Sequence, residues 1–306
     1  MLSVILAIIP IFLLIVLGVA LKRGNFPGDS FWPLADKMTY FIFFPALLVD
    51  NLSNAKLGDL DPTGMLGALL VAVLLQGILV YLVRPLARTD GPGFTSVFQG
   101  ATRFNTFVAL GAVAALEGGA GITLFAVAIS LAIPVINVMC VLTLARYGSH
   151  GEGTSVKGQA LFLAKNPLII ACLIGIALNL LDMPLPPGIE PVFKMLGAIA
   201  APMGLLTVGA GLQWQAARSG GRALGVACIL KLLVYPAMLY GFSRLWNLGH
   251  LETHILVLWG AMPTSSASYI LARQMGGDAP LAAAIVTVST LLAFITLPLV
   301  ILLVGI

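Results

Sequence analysis

Apolar stretches of roughly 20 residues, each closed by a short polar or Gly/Pro-containing connection, recur along the whole chain. They cover residues 3–21, 31–52, 64–83, 93–116, 120–145, 159–181, 190–212, 223–246, 251–272 and 280–305. Each is close to the length that crosses the hydrocarbon core of a bilayer as a helix. None shows the strict alternation of a barrel strand, and lipid tolerates no unpaired backbone, so the pattern predicts an all-α membrane protein with ten spanning helices. The first stretch does not read as a cleaved leader. Met1-Leu2-Ser3 has no basic residue, the run is of full spanning length, and no small-residue cleavage site precedes Lys22-Arg23.

Composition agrees: 59% of residues are hydrophobic and 9% charged, with a mean hydropathy of +1.05. A soluble globular domain lies far from these values. The net charge of +4 is topological in its distribution and does not point to nucleic acid. Odd-numbered connections between stretches carry ten Lys and Arg residues, and even-numbered ones carry only Lys56, Lys194 and Arg244. The positive-inside rule therefore places the odd connections in the cytoplasm. It predicts a multi-pass protein of the cytoplasmic membrane with both termini outside.

A second pattern lies over the first. Pro10, Pro27 and Pro45 recur as Pro167, Pro184 and Pro202, each 157 residues later, and the same offset pairs Gly18 with Gly175 and Lys37-Met38 with Lys194-Met195. The chain reads as a duplication: a first five-helix repeat over 1–146, a cytoplasmic linker over 147–158, and a second repeat over 159–306. An odd number of spans per unit turns the second unit upside down. A five-plus-five inverted repeat is an alternating-access architecture, with its site near the bilayer midplane where helices are discontinuous.

Breaks are expected in the fourth and ninth stretches. Gln99-Gly100-Ala101-Thr102-Arg103-Phe104-Asn105-Thr106 aligns, at an offset of 160, with Trp259-Gly260-Ala261-Met262-Pro263-Thr264-Ser265-Ser266. Gly relaxes the backbone, Pro removes a donor, and hydroxyl or amide side chains compete for the freed groups. The ends of half-helices at such breaks offer N–H groups and a positive dipole, which suit an anion. Arg103, deep in an apolar stretch, must face protein or water, and its planar fork matches a carboxylate. It could equally hold backbone carbonyls. Lys231 is a second intramembrane cation, either a further carboxylate contact or an internal tether. The candidate binding residues are thus Arg103, Asn105 and Thr106 from one half, Pro263, Thr264, Ser265 and Ser266 from the other, and Lys231.

Other chemistry is sparse. Asp36, Asp50 and Glu117 lie toward the ends of stretches, so no chain of carboxylates is laid out for protons. Sodium could be ligated by backbone carbonyls and Asn105, but coupling to sodium or to protons is not written in the sequence. Cys140, Cys172 and Cys228 read as packing residues, and His150, His250 and His254 are not spaced as ligands. No HExxH motif, paired intramembrane aspartates or nucleophile–base constellation occurs, so neither an enzyme nor a bound cofactor or metal is expected. A cation/proton antiporter would need an acidic pair at the breaks, and a membrane sensor an appended signalling domain. Neither is seen.

Phe43-Phe44-Pro45-Ala46-Leu47, Arg103-Phe104-Asn105-Thr106, Asn166-Pro167, Ala201-Pro202, Leu230-Lys231-Leu232-Leu233-Val234-Tyr235-Pro236 and Met262-Pro263-Thr264-Ser265-Ser266 occur in this order over the full length. In these segments the chain resembles the auxin efflux carrier family, which includes bacterial dicarboxylate permeases and plant PIN-type exporters. The resemblance implies the bile-acid-symporter-like fold and a homodimer. Spans 1, 2, 6 and 7 would form a scaffold with hinge prolines Pro45 and Pro202. Spans 3–5 and 8–10 would form a mobile transport unit, with spans 4 and 9 crossing at the substrate in an elevator-type cycle. The exporters carry a proline–asparagine pair in span 4. Here Phe104 stands in place of that proline, beside a charged Arg103. This departure argues against an auxin-like aromatic monoacid and, with Lys231, toward a smaller, more acidic organic anion such as malate or malonate.

Overall fold

Runs of Leu, Ile, Val and Ala with few polar side chains leave the backbone no partner but itself, and they fold as helix. The structure is a computed structural model that describes residues 2–54, 62–149, 167–218 and 220–305. All but the first three residues of the expected linker 147–158 lie outside the described residues, as does the start of the sixth stretch, 159–166. Among the described residues no strand occurs. In the first half the helices are α1 (Leu2–Arg23), α2 (Phe31–Met38), α3 (Phe44–Ser53), α4 (Thr63–Leu82), the short α5 (Arg84–Ala87), α6 (Gly91–Thr102) and α7 (Thr106–Tyr147). In the second they are α8 (Pro167–Leu180), α9 (Glu190–Ala210), α10 (Gly221–Ile229), α11 (Tyr235–Leu245), α12 (His250–Ala261), α13 (Ala267–Met275) and α14 (Ala279–Val304). Among the described residues, five stretches are long and apolar enough to cross a membrane: Thr63–Leu82, Gly91–Tyr147, Glu190–Ala210, Gly221–Leu245 and Ala279–Val304.

Prolines and one glycine shape these helices. A π-helical turn, Thr39–Phe43, joins α2 to α3 just before Pro45, and another, Leu230–Val234, joins α10 to α11 just before Pro236. The extra residue in each wide turn accommodates a ring that lacks an N–H and pushes on the preceding carbonyl. Pro202 stays inside α9, and Pro134 inside α7. Within α7 the chain reverses its backbone sense at Gly118 (φ 61, ψ −149), separating an arm over 106–117 from one over 119–147. This left-handed φ suits a residue without a Cβ.

The helices group into two compact units. One comprises α1, α2, α3, α8 and α9 with residues 110–131 of α7; the other comprises α4–α6, α10–α14 and the two ends of α7. Side chains such as Leu13, Ile78, Ile295 and Leu303, between 55% and 83% exposed, present apolar surface that water would not tolerate and lipid does. Inside the first unit the helices approach through glycines. A Cβ on Gly18 of α1 would overlap the Leu206 carbonyl of α9, and one on Gly209 of α9 would overlap the Ile15 carbonyl of α1. A Cβ on Gly175 of α8 would sit 2.7 Å from Leu52 Cβ and 3.3 Å from Val49 Cα of α3. The contacts Gly18–Leu206 and Gly175–Val49 are related by the same 157-residue offset that pairs the prolines. Small residues let helices associate where no hydrophobic force distinguishes neighbour from lipid.

Gly209→Ala should destabilise the protein by about 1–3 kcal/mol, because the added methyl can be relieved only by parting α1 from α9. The expected result is a lower thermal midpoint in detergent. Gly241→Ala, where an added Cβ meets nothing within 4 Å, should leave the midpoint near that of the parent chain.

Candidate functional site

Two helix interruptions face each other within the second unit. At the first, α6 ends at Thr102, whose hydroxyl turns back to the Phe98 carbonyl at 2.8 Å. Arg103 then leaves the helix in extended conformation (φ −80, ψ 148). Asn105, also extended, starts α7 again as its N-cap, with Oδ1 accepting the N–H groups of Phe107 and Val108 at 3.0 and 3.2 Å. A capping amide of this kind satisfies donors that a new helix start leaves free. At the second, Pro263 has no N–H to continue α12. The preceding Met262 is extended (φ −66, ψ 145), as residues before proline tend to be.

Hydrogen bonds cross from one interruption to the other. The Asn105 N–H donates to the Pro263 carbonyl at 2.8 Å, and the Thr264 hydroxyl donates to the Gly100 carbonyl at 2.7 Å. The Thr264 N–H donates to Ser289 Oγ of α14 at 3.1 Å. The rings of Phe104 and Trp259 pack with centroids 4.0 Å apart. Asn105, Pro263 and Thr264 are therefore brought together, and all three are buried. Ser265 is half-buried, its Oγ accepting the Ala267 N–H at 3.3 Å. Thr106 is half-buried and Ser266 exposed, and neither side chain makes a hydrogen bond among the described residues.

Both cations sit at the C-terminal ends of half-helices, where a positive charge is favoured. Arg103 directly follows α6. Its guanidinium lies beside the Cys140 thiol, and its Nη1 is buried without a hydrogen-bond partner among the described residues. Lys231, fully buried in the π turn before α11, donates to the carbonyls of Gly260 and Trp259 in the last turn of α12 at 3.1 and 3.5 Å. Its ammonium also lies 4.7 Å from the centre of the Tyr235 ring. No group of three His, Cys, Asp or Glu side chains comes together among the described residues. Pro45 and Pro202 belong to the other unit.

Sequence reasoning missed three polar groups here. Gln76 of α4 is fully buried, and its Nε2 donates to the Ala101 carbonyl at 3.0 Å and to the Leu230 carbonyl at 3.2 Å. Gln76 thus does for the end of α6 what Lys231 does for the end of α12: a donor from the third stretch in one half, and from the eighth in the other. A lone amide in an otherwise apolar stretch was the available signal, since such a group needs a partner inside lipid. Gln99 is buried with neither amide atom partnered among the described residues. Ser289 was one hydroxyl among several in its stretch.

The paired interruptions, the two cations and the motif order can be set beside known proteins. The pattern of a family described as membrane transport protein matches residues 154–301. A protein of Methanothermobacter thermautotrophicus, named as an uncharacterized transporter, is 23% identical over 295 residues, or 95% of this chain and 95% of that one. A Rhizobium meliloti protein, provisionally named a malonate transporter, is 23% identical over 197 residues, or 58% of this chain and 60% of that one. The family pattern over 154–301, the end-to-end likeness to a transporter and the motifs at the interruptions agree, and the chain is similar to membrane transport proteins of the auxin efflux carrier family.

Proposed function

We propose that the chain is a secondary transporter of small organic anions, mono- or dicarboxylates such as malate or malonate, bound at the two interruptions. The observation that carries this reading is Arg103, whose buried Nη1 has no partner among the described residues at the point where Asn105 and Pro263 join the two segments. A buried guanidinium N–H left without an acceptor is costly, and a substrate carboxylate would supply one through a charge-assisted bond. The unpartnered amide of Gln99, one turn back on α6, offers a further donor and acceptor. The relative named for malonate supports a dicarboxylate substrate.

The proposed architecture is ten spans in a five-plus-five inverted repeat, moving by an elevator cycle. Support comes from the matched glycine contacts in α1, α3, α8 and α9, and from the parallel roles of Gln76 and Lys231. The chain also divides into one unit holding spans 1, 2, 6 and 7 and another holding spans 3 and 8–10. Residues 110–131 group with the former, so the division runs through spans 4 and 5 rather than around them. The protein would act as a homodimer, and its Lys and Arg distribution supports a place in the cytoplasmic membrane with both termini outside.

Lys231 bears on coupling. A coupling sodium ion would seek carbonyls at a helix break, and at the end of α12 those of Gly260 and Trp259 already hold an ammonium tethered to the chain. We therefore assign the cation at this end to Lys231 and propose a cycle that needs no sodium.

Two flux measurements test these assignments. In proteoliposomes, Arg103→Ala should lower uptake of labelled malate or malonate at least about tenfold, the loss expected for a charge-assisted bond of 1.5 kcal/mol or more; wild-type flux in that variant would remove Arg103 from the binding role. Replacing sodium by choline on both sides should leave wild-type flux unchanged, whereas an imposed sodium gradient that drives uptake would overturn the assignment to Lys231.

A further inference from the structure

A cavity of about 460 Å³ opens at the other end of the second unit, where α5, α10 and the start of α14 meet. It shares no residue with the interruptions. Arg88 and Arg222 line it, together with Thr89, Gly221 and Asp278. Neither arginine has an ion pair or hydrogen bond among the described residues. Arg88 sits in the left-handed region (φ 46, ψ 51), a conformation a branched or long side chain adopts only when its surroundings require it.

The one carboxylate in the lining is already committed. Asp278 Oδ1 caps α14 by accepting the Leu281 N–H at 2.9 Å, and the Asp278 carbonyl accepts the Ser96 hydroxyl at 2.7 Å. Asp90 does the same for α6 through the Gly93 N–H at 2.8 Å. By contrast, the start of α10 at Gly220–Gly221 has no side-chain cap among the described residues, and its first residues line the cavity. Arg84, the nearest other cation on α5, is occupied, lying over the rings of Tyr147 and Phe94 at 4.4 and 4.9 Å. The cavity lining therefore sets two arginines against one carboxylate that is already engaged as a helix cap.

This end of the unit also marks the edge of the apolar zone. Leu82 at the end of α4 and Leu86 on α5 are 71% and 63% exposed, next to Arg88 in the chain. Two arginine forks and a helix start are matched by the oxygens of a phosphate group, and exposed leucines beside them are matched by an acyl chain. We propose that this cavity binds the phosphate of an anionic membrane lipid through Arg88 and Arg222. Inorganic phosphate shares the headgroup chemistry but has nothing to place against Leu82 and Leu86.

The test uses the purified full chain in detergent, titrated with short-chain phosphatidylglycerol, short-chain phosphatidylcholine or inorganic phosphate at constant ionic strength. Thermal midpoint is the readout, and it does not depend on knowing the transported substrate. Phosphatidylglycerol should raise the midpoint of the parent chain, and Arg88→Gln/Arg222→Gln should weaken its apparent affinity roughly tenfold or more. Arg273→Gln, exposed and outside the cavity lining, should leave it unchanged. Equal protection of the double variant, equal protection by phosphatidylcholine, or equal loss in Arg273→Gln would overturn the site. Protection by inorganic phosphate at the same concentrations would overturn the lipid as its occupant.

Discussion

In hydrocarbon a backbone N–H or C=O has no water to turn to, and this chain nevertheless interrupts two helices in the middle of apolar stretches. Everything about the candidate site follows from how those interruptions are satisfied. Each segment supplies what the other lacks: Asn105 gives its N–H to the Pro263 carbonyl, and Thr264 gives its hydroxyl to the Gly100 carbonyl. Neighbouring helices supply the rest, through Gln76 to Ala101, Lys231 to Gly260, and Ser289 to the Thr264 N–H. What remains unpaired is then informative. Arg103 Nη1, the Gln99 amide and Gln76 Oε1, all buried without a partner among the described residues, are the groups that the proposed small polar ligand would satisfy.

The two units achieve cohesion differently. In the first, glycines on α1, α8 and α9 bring backbones together so closely that packing itself holds the helices. In the second, polar side chains from four helices meet at the interruptions, and glycines serve mainly to let those helices come near. Gly100 faces Ile285 of α14, and Gly260 faces Pro236 of α11. A tight, apolar first unit and a polar, broken second one would suit the fixed frame and substrate carrier of the proposed cycle.

The near-symmetry of the halves has a chemical exception. Gln76 and Lys231 perform the same hydrogen-bonding task at corresponding ends, but one is an amide and the other an ionisable amine. Arg103 and Pro263 differ in the same way along the interruptions themselves. Under the proposed duplication, the packing contacts Gly18–Leu206 and Gly175–Val49 stay in register. A binding site has a single ligand to fit and gains from residues that differ between the halves.

Much of this was legible in the chain. Apolar length and composition determine the helical, membrane-embedded class, because lipid leaves the backbone few alternatives. Pro263 and the Gly, Asn and hydroxyl residues around it marked where helices would stop, since those effects act over one or two residues. Pairings between distant segments were not legible. That Asn105 meets Pro263, that Gln76 caps the end of α6, that Gln99 is buried with no partner among the described residues and that Ser266 is exposed depend on how helices far apart in sequence are brought together. The same holds for the grouping of residues 110–131 with the first unit, which no local pattern announces. The sequence by itself determined which groups would be left wanting a hydrogen bond inside the membrane. Only the tertiary structure decided which partners reach them, because in hydrocarbon that choice is made by whichever side chain packing brings within 3 Å or so.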